Sequence, residues 1–238
     1  MSISLIKLGF ASLTLICIFF FLFGLQKTIN KSDYNPDKKN RLWLFAVYGI
    51  FIWLTLVSVY SLTGISKDFS MPPKLTFVVF PPLIITMYMI FSGRADRLLK
   101  YVPHEWLIGF QTFRFFVELL LWSLYMVNLL GVHMTLEGYN WDILTGITAP
   151  VFLFAYKKFR LPKWTRVAWN FGGLALLINI VTISILSMPT PMRIFMNEPA
   201  NVIMAFFPMI WLPTILVPFA YTMHFLSLRK KYIERNRL

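Results

Sequence analysis

The stretch EWLIGFQTFRFFVELLLWSLYMVNLLG, residues 105–131, decides the fold. It is apolar at almost every position and longer than the roughly 20 residues a helix needs to cross a bilayer. Two charges interrupt it, Arg114 and Glu118. By insertion scales each costs about 2.5–3.5 kcal/mol at a helix centre, so such residues turn toward a protein interior or a water-filled cavity. Their i, i+4 spacing puts both on one helix face, with Gln111 one turn earlier. This face is where the sequence points for function, without saying which function.

The composition extends that reading to the whole chain. Its 238 residues are 58% hydrophobic and 14% charged, with a mean hydropathy of +0.65. Soluble domains carry about 25% charged residues, so the class is an integral membrane protein bounded by the lipid bilayer. A net charge of +13 would point to nucleic acid in a soluble chain. Here the basic residues sit in short loops between apolar runs, and no nucleic-acid partner is expected. The single cysteine, Cys17, excludes an intrachain disulfide and any cysteine cluster for a metal. The first apolar run, Leu8 to Leu25, lacks a small-residue cleavage site and reads as a retained helix.

Apolar runs of spanning length fall at about 5–26, 42–63, 74–92, 105–131, 140–156, 167–187 and 200–227, one all-α domain over 1–238 with seven transmembrane helices. The fifth counts only if Trp141 and Asp142 lie at the interface. Loop charges test the count independently. Eighteen Lys and Arg fall in the 27–41, 94–100, 157–166 and 229–237 segments, against Lys7, Lys67, Lys74 and Arg193 on the other side. The positive-inside rule then places the N-terminus outside and the C-terminus in the cytoplasm. A shift of 127 residues lays helices one to three onto five to seven and matches Met71-Pro72 through Phe80-Pro81 with Glu198-Pro199 through Phe207-Pro208. Interrupted helices at corresponding places point to a 3+1+3 internal repeat of the transporter kind, although any seven-helix chain divides this way.

Three groups of residues are candidates for chemistry. Helix four enters near His104, so Arg114 lies about 15 Å and Glu118 about 20 Å along it, astride the midplane. Two readings stay open there: an intrahelical ion pair that ties helices together, or a cavity in which Arg114 holds an anionic group or Glu118 exchanges a proton. Pro208, Pro213 and Pro218 in helix seven, and Pro81 and Pro82 in helix three, remove backbone donors and mark kinks. These are hinges or static bends. On the outer face, His133, Glu137, Asp142 and Glu198 offer hard ligands to a divalent cation, against the simpler reading of solvated loop polarity. His104 and His224 are weak metal candidates, and no nucleotide, zincin or serine-elbow motif is present. No cofactor is expected.

Two stretches carry a resemblance. VPHEWLIGFQTFR (102–114), and Phe207-Pro208 through Trp211-Leu212-Pro213 with Val217-Pro218, His224 and Ser227-Leu228-Arg229, resemble segments of an uncharacterised family of bacterial multi-pass membrane proteins. The likeness covers the C-terminal two-thirds of the chain. It implies a bacterial inner-membrane protein and names no activity. The expectation is therefore a seven-helix protein whose Gln111, Arg114 and Glu118 line a polar cavity for a small solute or ion, as a transporter-like or sensing protein. The alternatives are a scaffold or assembly subunit that docks a membrane-protein partner, and an intramembrane enzyme built on the outer acidic group.

Overall fold

The structure, a computed structural model, describes residues 2–235. The described chain is helical and contains no strand. Its helices longer than ten residues are α1 (Ile3–Lys31), α2 (Pro36–Leu62), α3 (Thr76–Phe91), α4 (His104–Met126), α5 (Ile143–Lys158), α6 (Lys163–Leu186) and α7 (212–235). Four of them, α1, α2, α4 and α6, are long and apolar enough to cross a membrane, while α3 is apolar but only 16 residues long.

Local chemistry sets the helix limits. Asn35 caps α2 by accepting from the Lys38 amide at 3.0 Å, and Pro36 follows at the first helical position, where a missing N–H is harmless. The expected helix 105–131 stops at Met126. Asn128 adopts a left-handed conformation, φ 54°, and the amides of Asn128 and Leu129 return to the carbonyls of Tyr125 and Leu124, each at 2.9 Å. This is a Schellman-type stop built on asparagine.

The expected helix 200–227 is the larger departure. Residues 200–210 form a short 3-10 turn, Ile203–Ala205, and irregular backbone. The helix proper starts only after Trp211, through a π-helical turn over Leu212–Leu216. Pro208 therefore lies ahead of α7 and does not kink it; Pro213 sits in the π turn and Pro218 in the first α turn. Prolines at these positions cannot donate to a regular ladder, and the chain adopts the wider turn. By contrast α3 runs unbroken through Pro81 and Pro82, so no interruption marks helix three.

Two irregular segments descend along neighbouring helices instead of leaving the bundle. After α4, the chain runs back down that helix: Glu137 accepts from the Trp122 indole at 2.7 Å, Asn140 reaches Glu118 at 2.5 Å, and Asp142 reaches Arg114. α5 continues the same course, with Lys157 3.7 Å from Glu105. The second segment runs beside α2, where the Ala205 carbonyl accepts from both Ser61 and Ser66 at 2.8 Å and Trp211 donates to Ser58 at 3.0 Å. Both descending segments open with the same succession of a 3-10 turn, a bend and four turn residues, at 132–139 and 203–210. Non-helical backbone inside such a bundle persists only where protein satisfies its polar groups.

One end of the bundle gathers all the strongly basic segments. Tyr101 hydrogen-bonds Asp33, Arg229 makes a two-point pair with Asp96 at 2.9 and 2.7 Å, and His104 meets Glu234 at 3.0 Å. The Lys230 ammonium sits on the carbonyls of Leu99, Lys100 and Val102. The main apolar core lies between α1, α4, α6 and α7, around Phe10, Val117, Leu121, Leu177 and Leu216. α2 stands at the periphery, where Val57 and Ser61 are its buried residues.

Candidate functional site

Arg114 is 1% exposed, and its partner is Asp142. Nε donates to Oδ2 at 2.7 Å while Nη2 pairs with Oδ1, the two-point fork that makes guanidinium–carboxylate pairs strong. Nη2 also donates to the Gly173 carbonyl at 3.2 Å. The intrahelical pair with Glu118, one of the two readings the i, i+4 spacing leaves open, does not form. The descending segment delivers a different carboxylate to the guanidinium, and Glu118 faces Asn140 instead.

The fourth Arg114 contact runs from Nη1 to Nε2 of His224, at 3.0 Å. Because a guanidinium only donates, Nε2 is the accepting nitrogen and the imidazole is neutral with its proton on Nδ1. That proton goes to Oδ1 of Asn170, 3.0 Å away. The Asn170 amide is fixed in turn, since its Nδ2 donates to the Arg166 carbonyl at 2.7 Å and to Ser227 at 3.0 Å. A polar chain thus runs from Glu118 through Asn140, Asp142, Arg114 and His224 to Asn170. Gly173 makes room for it, since a Cβ there would stand 2.8 Å from His224 Nε2.

Arg114, Glu118 and Asp142 border a cavity of about 110 Å³ whose other walls are mainly aliphatic. α3, α4, α6 and the start of α7 all contribute to its lining. Gln111 lies one turn below, fully buried, and donates to the Ala220 carbonyl at 3.0 Å. It is not part of the cavity lining. Of the prolines, only Pro213 borders the cavity.

The outer metal candidates are dispersed. Asp142 is consumed by Arg114, Glu137 by Trp122, and Glu198 by Arg193 at 3.0 Å. His133 is buried, stacks on Phe195 and contacts Ser187 at 2.7 Å. Burial and the nearby Arg193 hold its pKa below 6.5. That Ser187–His133 contact is not a nucleophile–base pair. The hydroxyl proton is directed to the Ile183 carbonyl at 2.5 Å, so Ser187 accepts from the imidazole. Among the described residues no three metal-ligating side chains gather.

Sequence reasoning found Arg114 and Glu118 because charges stand out in an apolar run. It puts Asp142 on the outer face and sets His224 aside. It does not single out Asn170, although an amide inside an apolar run is the same kind of signal.

A polar chain buried in a bundle of apolar helices defines the class: an α-helical protein with membrane-length helices and a charged interior. Residues 71–230 match a family described as a domain of unknown function, DUF8737, and the chain belongs to that family. The match spans both stretches that carry the resemblance noted above, and the whole polar chain with them. No curated protein and no solved structure matches the chain.

Proposed function

We propose that this is a multi-pass plasma-membrane protein, of the bacterial inner membrane, that binds a small solute or ion in its intramembrane cavity as a transporter-like or sensing protein. The observation that carries the reading is the exposure of three ionisable side chains to one small, largely aliphatic cavity. A purely structural ion pair gains nothing from a neighbouring cavity, since side chains that line open space have fewer packing partners.

The seven-helix arrangement, with the N-terminus outside and the C-terminus cytoplasmic, is supported by the convergence of the basic segments on one end. The 127-residue repeat draws support from the end of α1 at Lys31 against that of α5 at Lys158, and from the starts of α2 at Pro36 and α6 at Lys163. Their lengths speak against it, 29 residues for α1 and 16 for α5.

The test is a thermal-shift screen of small solutes on purified protein in lipid nanodiscs, run beside Val117→Trp, which fills the cavity. Solutes that stabilise the parent and not the filled variant support the reading. A parent protein stabilised by none of them rules it out.

A second reading, a scaffold subunit docking a membrane-protein partner, is favoured by the peripheral position of α2. Its Phe45, Tyr48, Phe51 and Ile52 lie outside the bundle. Recovery of one partner in fixed ratio from native membranes, lost on substituting these residues, distinguishes it from a self-contained solute site.

A further inference from the structure

Charge pairing at the cavity is unequal. Asp142 takes both edges of the Arg114 fork that face it, and Gly173 and His224 occupy two further donors. An anion entering the cavity would meet a guanidinium already neutralised and engaged. Glu118 is in the opposite state. Asn140 binds its Oε2, Oε1 has no hydrogen-bond partner among the described residues, and the side chain borders the cavity while the residue is 1% exposed. Among the described residues no ion pair reaches it, since the Arg114 fork is taken by Asp142.

The walls decide what kind of cation complements it. Val117, Leu121, Ile180 and Leu216 are aliphatic, so a bare alkali or divalent ion would shed its hydration shell without the six or so oxygens that replace it. An ammonium group on a short alkyl body loses less, because its apolar part gains by burial while its N–H groups pair with the carboxylate. A cavity of about 110 Å³ is several times the roughly 10–15 Å³ that one water needs, which leaves room for a small organic body.

We infer that the cavity selects small alkylammonium cations, with Glu118 Oε1 accepting from the ammonium and the alkyl body lying against the α4, α6 and α7 side chains. This rests on the solute-site reading above and names its ligand class.

The experiment is titration calorimetry on the full chain in nanodiscs with ethyl- to hexylammonium, beside alkanols and alkylcarboxylates of the same lengths. The expected result is binding of an ammonium in preference to both matched series, weakened about tenfold or more in Glu118→Gln by loss of a charge-assisted hydrogen bond. Preference for a carboxylate or alkanol, or unchanged ammonium binding in Glu118→Gln, overturns the cation class and leaves the solute site standing. If no member of any series binds the folded parent, the solute site falls and this inference with it. Should Glu118→Gln fail to fold, the parent's preference for ammonium over carboxylate decides alone.

Discussion

Arg114 is held by Asp142, 28 positions along the chain, and not by Glu118 one helical turn away. The pair is buried on both sides, with side-chain exposures of 2% and 6%. Its two-point geometry joins α4 to the start of α5 and anchors the descending segment between them. That relationship changes what each acid does: Asp142 belongs to the scaffold, and Glu118 is released to the cavity.

Breaking one side of that pair is expected to be severe. Asp142→Leu leaves a buried guanidinium uncompensated, a loss of about 3–5 kcal/mol, read as a fall in melting temperature by fluorescence-detected size exclusion. Arg114→Met with Asp142→Leu recovers most of it, because removing both charges removes the unpaired one. Glu118→Gln stays close to the parent. Equal losses for Asp142→Leu and Glu118→Gln would contradict the division of roles between the two acids.

The adjacent glycines of α6 separate cleanly. At Gly173 a Cβ would press on the His224 ring, 2.5 Å from Cε1, whereas at Gly172 it meets nothing within 4 Å. Gly173→Ala displaces the imidazole from Arg114 and is expected to lose about 1–3 kcal/mol through unsatisfied buried groups. Gly172→Ala is neutral or stabilising by up to about 1 kcal/mol from helix propensity. A melting-temperature comparison of the two variants checks both at once.

His133 gives the outer end a pH response. Its pKa is held below 6.5 by burial, then by Arg193, so the folded state favours the neutral ring. As the pH falls below about 6.5, the unfolded chain takes up a proton before the folded one does, and stability is lost down to the folded-state pKa. His133→Phe keeps a ring to stack on Phe195 but removes the titration. Its melting temperature is therefore flatter than the parent's between neutral and acidic pH; parallel slopes would show that His133 does not contribute.

Sidedness is open to labelling. Cys17 is the one cysteine in the sequence and is 4% exposed, so the parent is expected to resist membrane-impermeant maleimide. Cysteines introduced at Lys67 or Asn197 should label in intact cells, and at Lys39 or Lys158 only after permeabilisation. The reverse pattern would invert the proposed orientation.

Much of this was legible along the chain. The apolar runs around Cys17, Trp53, Val117 and Leu177 mark the four longest apolar helices, because length and hydropathy are local properties. Arg114 and Glu118 stand out for the same reason. The limits of α4 and α7 differ from the hydropathy runs where the polypeptide stays apolar but stops being helical. Val127–Leu130 and Ile203–Ile210 are as greasy as the helices they adjoin, and hydropathy does not see Asn128 turning left-handed or the irregular backbone around Pro208.

Hydropathy by itself determined that the chain has membrane-length helices, where their centres lie, and which charges are out of place. The tertiary structure alone decided that Asp142 pairs with Arg114, that His224 and Asn170 extend the chain of hydrogen bonds, and that Glu118 faces a cavity. The physical reason is that hydropathy sums over neighbours in sequence, whereas a buried charge must be neutralised by whatever group folding brings within about 3 Å. Here that group arrives on a segment that doubles back into the bundle, and no periodicity announces such a return.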